Sequence, residues 1–192
     1  MEFEERKNIR IPGFDYSTSG YYFITICTEN RKEILSRILD ESDRCAAINV
    51  GTGLPDGPNE INLKLPTVYL TRYGKIVENQ IKIMTDFYDE IRIEKYVIMP
   101  NHIHFLLKVK NGVFGPSGRP VPTMREFSTN SIISKFIGTF KRFVNKEIGK
   151  NIWQPRSFDH VIRNEKDYLE ICKYIEYNPC TWNGDELKDA IN

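Results

Sequence analysis

The 192-residue chain predicts an α+β fold, a ferredoxin-like sandwich in which an antiparallel sheet with a central hairpin carries helices on one face, plus a C-terminal helix. Three observations lead there. The apolar patterns run in the order strand, helix, strand, strand, helix, strand, helix. The two middle strand-like runs, residues 91–99 (IRIEKYVIM) and 102–109 (HIHFLLKV), are separated only by Pro100-Asn101, a hairpin signal. Each half then reads as a βαβ-like unit around that hairpin, with a further helix at the end.

The elements follow in order. Residues 21–28 (YYFITICT) are β-branched and aromatic, the composition of a buried strand. Residues 51–59 (GTGLPDGPN) read as a surface loop or insertion. Residues 71–88 place Ile76, Val77, Ile81, Met84 and Phe87 at helical offsets. The hairpin comes next, then a second Gly/Pro loop at 111–123 (NGVFGPSGRPVPT). Residues 129–148 set Ile132, Ile133, Phe136, Ile137, Phe140, Phe143 and Val144 on one helical face. An extended piece at 158–163 leads to a last helix, with Asn164 as its cap and Asp167 three residues on. That helix is expected from about Glu165 to Tyr177, stopping at Asn178-Pro179. No internal repeat or low-complexity tract divides the chain. One domain over residues 1–192 is expected, with variable loops at about 41–66 and 111–123.

Composition excludes several classes. Apolar residues are 40% and charged residues 28%, enough for a core and too little bias for a disordered tail. Lys+Arg at 27 against Asp+Glu at 26 excludes a globally basic, histone-like binder. No apolar run reaches the ~18 residues of a spanning helix, and the charged start MEFEERKNIR has no apolar core for export. Cys27, Cys45, Cys172 and Cys180 show no CxxC spacing and read as reduced thiols, which points to the cytoplasm and away from membranes. Charge is nonetheless uneven. Residues 131–163 hold seven basic against two acidic side chains, whereas residues 164–192 hold three against seven. The basic stretch is either a solvated helix face or a surface tracking the phosphates of single-stranded nucleic acid. Lys141, Arg142, Arg156 and Arg163 are its candidate contacts. Trp153 either stacks on a base or plugs the core. His160, beside Asp159, faces either DNA and the site or the sheet.

His102 and His104 carry the chemistry. Side chains alternate along a strand, so the two imidazoles share a face and can grip one cation while Ile103 points into the core. The shared face is expected to be open. Two histidines so spaced can also be plain exposed polar residues. On the last helix Tyr174 and Asn178 lie four apart, one turn from each other on one face. A tyrosine aimed at such a cation suits nucleophilic attack on a phosphodiester, with the Asn178 amide completing the coordination. Equally, Tyr174 can pack in the core and Asn178 can cap the helix.

The string VIMPNHIHFLL resembles the histidine-hydrophobe-histidine motif of the HUH endonucleases, and NIWQPRSFDHVIRNEKDY and YIEYNPC resemble segments of the REP-associated tyrosine transposases. The resemblance runs in order from the first strand through Pro179. It implies His102 and His104 as metal ligands, Asn178 as the third protein ligand, Tyr174 as the nucleophile, and Mg²⁺ or Mn²⁺ as the cation. Zn²⁺ also accepts such a donor set. It further implies a bacterial-type, nucleoid-associated enzyme, monomeric or homodimeric, acting on single-stranded DNA with hairpins or palindromic repeats. Tyr174 would form a 5′-phosphotyrosine link and free a 3′-OH, and reverse attack would rejoin the strands. The alternative is a domesticated, catalytically silent protein that binds hairpin nucleic acid. A replication initiator or relaxase of the same superfamily would need further domains.

Overall fold

The structure, a computed structural model, describes residues 18–39, 66–110 and 131–184. It contains an antiparallel sheet of four strands: β1 (Gly20–Cys27), β4 (Ile91–Ile98), β5 (His102–Val109) and β6 (Phe158–Ile162), in the order β4-β5-β1-β6. Helices α1 (Arg72–Phe87) and α2 (Ile132–Ile148) cover one face, and α3 (Glu165–Thr181) covers the other. This is the expected α+β sandwich. The expected loops at 51–59 and 111–123, and Cys45, lie outside the described residues.

The sheet divides two apolar clusters. Tyr22, Ile24 and Ile26 of β1 and Ile103, Phe105 and Leu107 of β5 point to the side of α1 and α2, where they meet Val77, Ile81, Phe136 and Phe140. The alternate residues Phe23 and Leu106 point the other way, to a smaller cluster with Ile162 and Ile175. The period of two along each strand thus builds a main core on one side and a seat for α3 on the other.

Two features were not foreseen. A small antiparallel pair, β2 (Ser36–Leu39) and β3 (Thr67–Leu70), flanks the first insertion; four-residue strands give too little alternation to be read. And α3 does not stop before Pro179 but runs to Thr181 with the proline inside it. A proline there removes a single backbone donor near the helix end. Burial of Ile175, Asn178, Pro179 and Trp182 outweighs that loss and the pre-proline bias of Asn178.

Contacts around Leu35 tie α1 to the histidine hairpin. Thr71 caps α1 by accepting from the Gly74 N–H, and its hydroxyl donates to Ile34 O at 2.6 Å. Leu35 N donates to Pro100 O at 2.9 Å. A β-carbon at Gly74 would overlap the Leu35 carbonyl oxygen. Gly74→Ala is therefore expected to cost about 1–3 kcal/mol despite the better helix propensity of alanine. Thermal melts that show no loss would contradict that packing.

Candidate active site

Strand β5 brings His102 and His104 onto one face, with their Nε2 atoms 3.0 Å apart. The face is not open, as expected from sequence, but buried: the two side chains are 0% and 1% exposed. Helix α3 lies over them, and the Trp182 ring sits 6.2 Å from that of His102. The expectation failed because strand alternation tells which side chains share a face and nothing about what covers it.

Each imidazole is fixed from behind. His102 Nδ1 donates to Asn101 Oδ1 at 2.7 Å, because an amide oxygen only accepts; His102 therefore presents its Nε2 lone pair. His104 Nδ1 bonds the Thr25 hydroxyl at 2.8 Å. Thr25 is the cross-strand partner of His104, and a hydroxyl serves either imidazole tautomer. Phe23 stacks on His104 with ring centroids 4.9 Å apart. Neither Asn101, which reads as a turn residue, nor Thr25 was singled out from sequence. Adjacency to His102 was the only available signal for Asn101, and Thr25 depends on strand register.

Helix α3 supplies the other groups. Asn164 caps its start by accepting from Asp167 N at 2.9 Å, as expected. Tyr174 Oη lies 3.4 Å from His104 Nε2, and its ring meets those of His104 and Phe23. One turn on, Asn178 is 1% exposed and both of its amide heteroatoms are buried without a hydrogen-bond partner. Its side chain reaches toward His102 and favours the protonated form of that imidazole.

A buried amide beside two convergent imidazoles could hold a cation. A 3.0 Å edge between the nitrogens fits neighbouring corners of an octahedron with metal–nitrogen bonds of about 2.1 Å. Two imidazoles and one amide are neutral and leave positions open to an anion. No cluster of three or more His, Cys, Asp or Glu side chains that could hold a metal exists among the described residues. The residues present fit a divalent cation.

Burial, reinforced by the nearby Arg31 charge, pushes His102 down to about 3, and burial holds His104 well below its usual range. Both imidazoles are thus neutral near pH 7. Unfolded histidines take up protons near 6.5 and these do not, so their contribution is intact above about 6.5 and lost as pH falls toward 3. The loss is at most about 1.4 kcal/mol per pH unit for each histidine. Melting temperatures between about pH 7 and pH 4 are expected to fall less steeply in His102→Gln than in the parent. Equal slopes would contradict the buried neutral pair.

The tentative DNA contacts separate. Arg142, Arg156 and Arg163 are exposed. Lys141 is half-buried, with its ammonium donating to the carbonyls of Gln154, Pro155 and Arg156 at 2.8, 3.4 and 3.1 Å. Its side chain therefore ties α2 to the 154–156 segment. Trp153 is 1% exposed and packs near Phe140 at 6.0 Å; it is a core residue, and the base-stacking expectation is corrected. An aromatic between basic residues looks the same in sequence whether it faces in or out. His160 is exposed and bonds Asp167 at 2.9 Å, joining β6 to the start of α3.

No family model matches the chain. An uncharacterized protein of Haemophilus influenzae is 28% identical over 191 residues, covering 95% of this chain and 92% of that protein. A REP-associated tyrosine transposase of Escherichia coli K12 is 32% identical over 109 residues. That match takes in 57% of this chain and spans only 55% of the transposase's length. Among solved structures, a REP-associated tyrosine transposase bound to a REP hairpin superposes with a TM-score of 0.54 at 20% identity. It covers 97% of this chain and 77% of that one, a likeness of fold.

Proposed function

We propose that this chain, a relative of the REP-associated tyrosine transposases, cleaves and rejoins single-stranded DNA that carries hairpins, through a covalent tyrosine–DNA link. The observation that carries the reading is the approach of Tyr174 Oη to within 3.4 Å of His104 Nε2, across 70 residues of sequence. A packing tyrosine has no need to aim its hydroxyl at an imidazole pair beside an unpartnered amide.

In this reading His102, His104 and Asn178 hold a divalent cation, Mg²⁺ or Mn²⁺, which when bound polarises the scissile phosphate. Tyr174 supplies the nucleophile. A bond forms between its oxygen and phosphorus as the bond to the 3′ oxygen breaks. The phenol loses its proton and the departing 3′ oxygen gains one, so no proton is consumed overall. The product is a 5′-phosphotyrosine and a free 3′-OH, and attack by a 3′-OH restores a phosphodiester at similar energy. Asn101 and Thr25 fix the imidazoles, and Phe23 and Trp182 wall the site. The exposed Arg142, Arg156 and Arg163 would meet phosphates along the strand.

Incubating the protein with end-labelled hairpin single-stranded DNA and Mg²⁺ or Mn²⁺, followed by a denaturing gel, tests the reading. A labelled band at the protein's mass is expected, and it should disappear in EDTA. Tight hairpin binding without any adduct would favour a silent DNA-binding protein.

A further inference from the structure

Between β1 and β2 the chain makes a single 3-10 turn, Glu29–Arg31, in which two successive non-glycine residues have positive φ: Asn30 at 52° and Arg31 at 53°. Left-handed backbone at such residues is strained and persists where surrounding structure enforces it, commonly at functional sites. Asparagine tolerates the region; arginine has no side-chain device for it.

The turn brings the Arg31 side chain back to the end of β1. Its Nη1 donates to Cys27 Sγ at 2.9 Å. Cys27 stands directly opposite His102 in the β1–β5 register, so the two side chains leave the same face of the sheet. The guanidinium therefore belongs to the histidine end of that face.

Arg31 is half-buried, and among the described residues no carboxylate pairs with it. The thiol engages one of its five N–H donors. A partly desolvated cation next to a site for a second cation is repelled unless an anion lies between them. A phosphodiester satisfies both, and the planar fork of arginine matches two phosphate oxygens at once. We propose that Arg31 grips the non-bridging oxygens of the phosphate that Tyr174 attacks, an inference that rests on the strand-transfer reading above. Its charge is then fixed where negative charge grows in the transition state. Cys27 is the rest that aims it.

The test uses Arg31→Gln and Arg31→Lys in the full chain, with two readouts. The first is the affinity for fluorescent hairpin single-stranded DNA as a function of salt, measured in EDTA by anisotropy in a Tyr174→Phe background. The second is the rate of covalent adduct formation with Tyr174 intact. Arg31→Gln is expected to flatten the salt slope by about one and to slow adduct formation about 10²–10³-fold. Arg31→Lys keeps the charge, so its slope should hold, while loss of the fork slows the adduct about tenfold. Should the glutamine variant fail to fold, the lysine variant decides, and an unchanged adduct rate in it overturns the proposal. Parent-like slope and rate in Arg31→Gln overturn it too, and leave the tyrosine chemistry standing. If the parent forms no adduct while Arg31→Gln still flattens the slope, the strand-transfer reading fails and the phosphate contact survives.

Discussion

Tyr174→Phe is expected to eliminate the covalent protein–DNA adduct, lowering its formation by about a thousandfold or more, as loss of a covalent nucleophile does. The change removes one oxygen. The ring keeps its contacts with Phe23, 5.8 Å away, and His104, 5.2 Å away, so the folded state should lose no more than about 1 kcal/mol. Hairpin binding should survive. Three tyrosines sit on α3, and helix geometry separates them. At about 100° per residue, Tyr174 and Asn178 differ by about 40°, Tyr177 lies about 60° to the other side, and Tyr168 about 120° away. Tyr168 packs instead against Tyr21, with ring centroids 4.8 Å apart. The adduct should therefore persist in Tyr177→Phe and Tyr168→Phe. Persistence in Tyr174→Phe together with loss in Tyr177→Phe would move the nucleophile by one turn and take the role of Asn178 with it.

The second large effect concerns the imidazoles. His102→Gln and His104→Gln keep most of the side-chain volume and remove a ring nitrogen donor. Each is expected to abolish metal-dependent adduct formation and to weaken Mn²⁺ binding by more than the roughly 10–100-fold typical of an outer-shell partner. Thr25→Val and Asn101→Ala should fall within that smaller range. Alanine at either histidine is a different experiment. Both side chains are buried, so His→Ala leaves a cavity and should cost about 2–4 kcal/mol in addition to activity. Calorimetric titration of Mn²⁺ into the glutamine variants is the direct measurement. Parent-like affinity in both would remove the pair from the metal site.

What the sequence discloses depends on the range of the physics involved. The strand carrying the histidines is predicted to the residue, because Pro100-Asn101 marks its start and alternation of Ile103, Phe105 and Leu107 with His102, His104 and Leu106 fixes its faces. The spacing of Tyr174 and Asn178 is legible for the same local reason. That α3 crosses the sheet to meet β5 is not local, and family resemblance rather than periodicity implies that those groups meet. The partners that settle the imidazoles were missed, since Thr25 reaches His104 only through cross-strand register. The same holds for Arg31, whose neighbour Cys27 is opposite His102 only once the sheet exists. For Trp153 and Lys141 the sequence leaves one ambiguity open: a basic and aromatic stretch has the same composition whether its members reach solvent or tie a helix to the core.

The sheet's two faces divide labour in a way that bears on how the protein breaks. One face carries the large cluster under α1 and α2; the other seats α3 on a smaller apolar cluster built on Phe23, Leu106, Ile162 and Ile175. A helix seated on the smaller of two clusters belongs to the less protected part of a domain. Heat or denaturant should therefore disarm the chain before unfolding it. With α3 released, the chain retains both imidazoles on an intact sheet while the tyrosine and the amide depart together. Damage and repair would then be reversible events confined to one helix, and a helix released from one chain would carry Tyr174 and Asn178 to any second chain whose sheet stood bare.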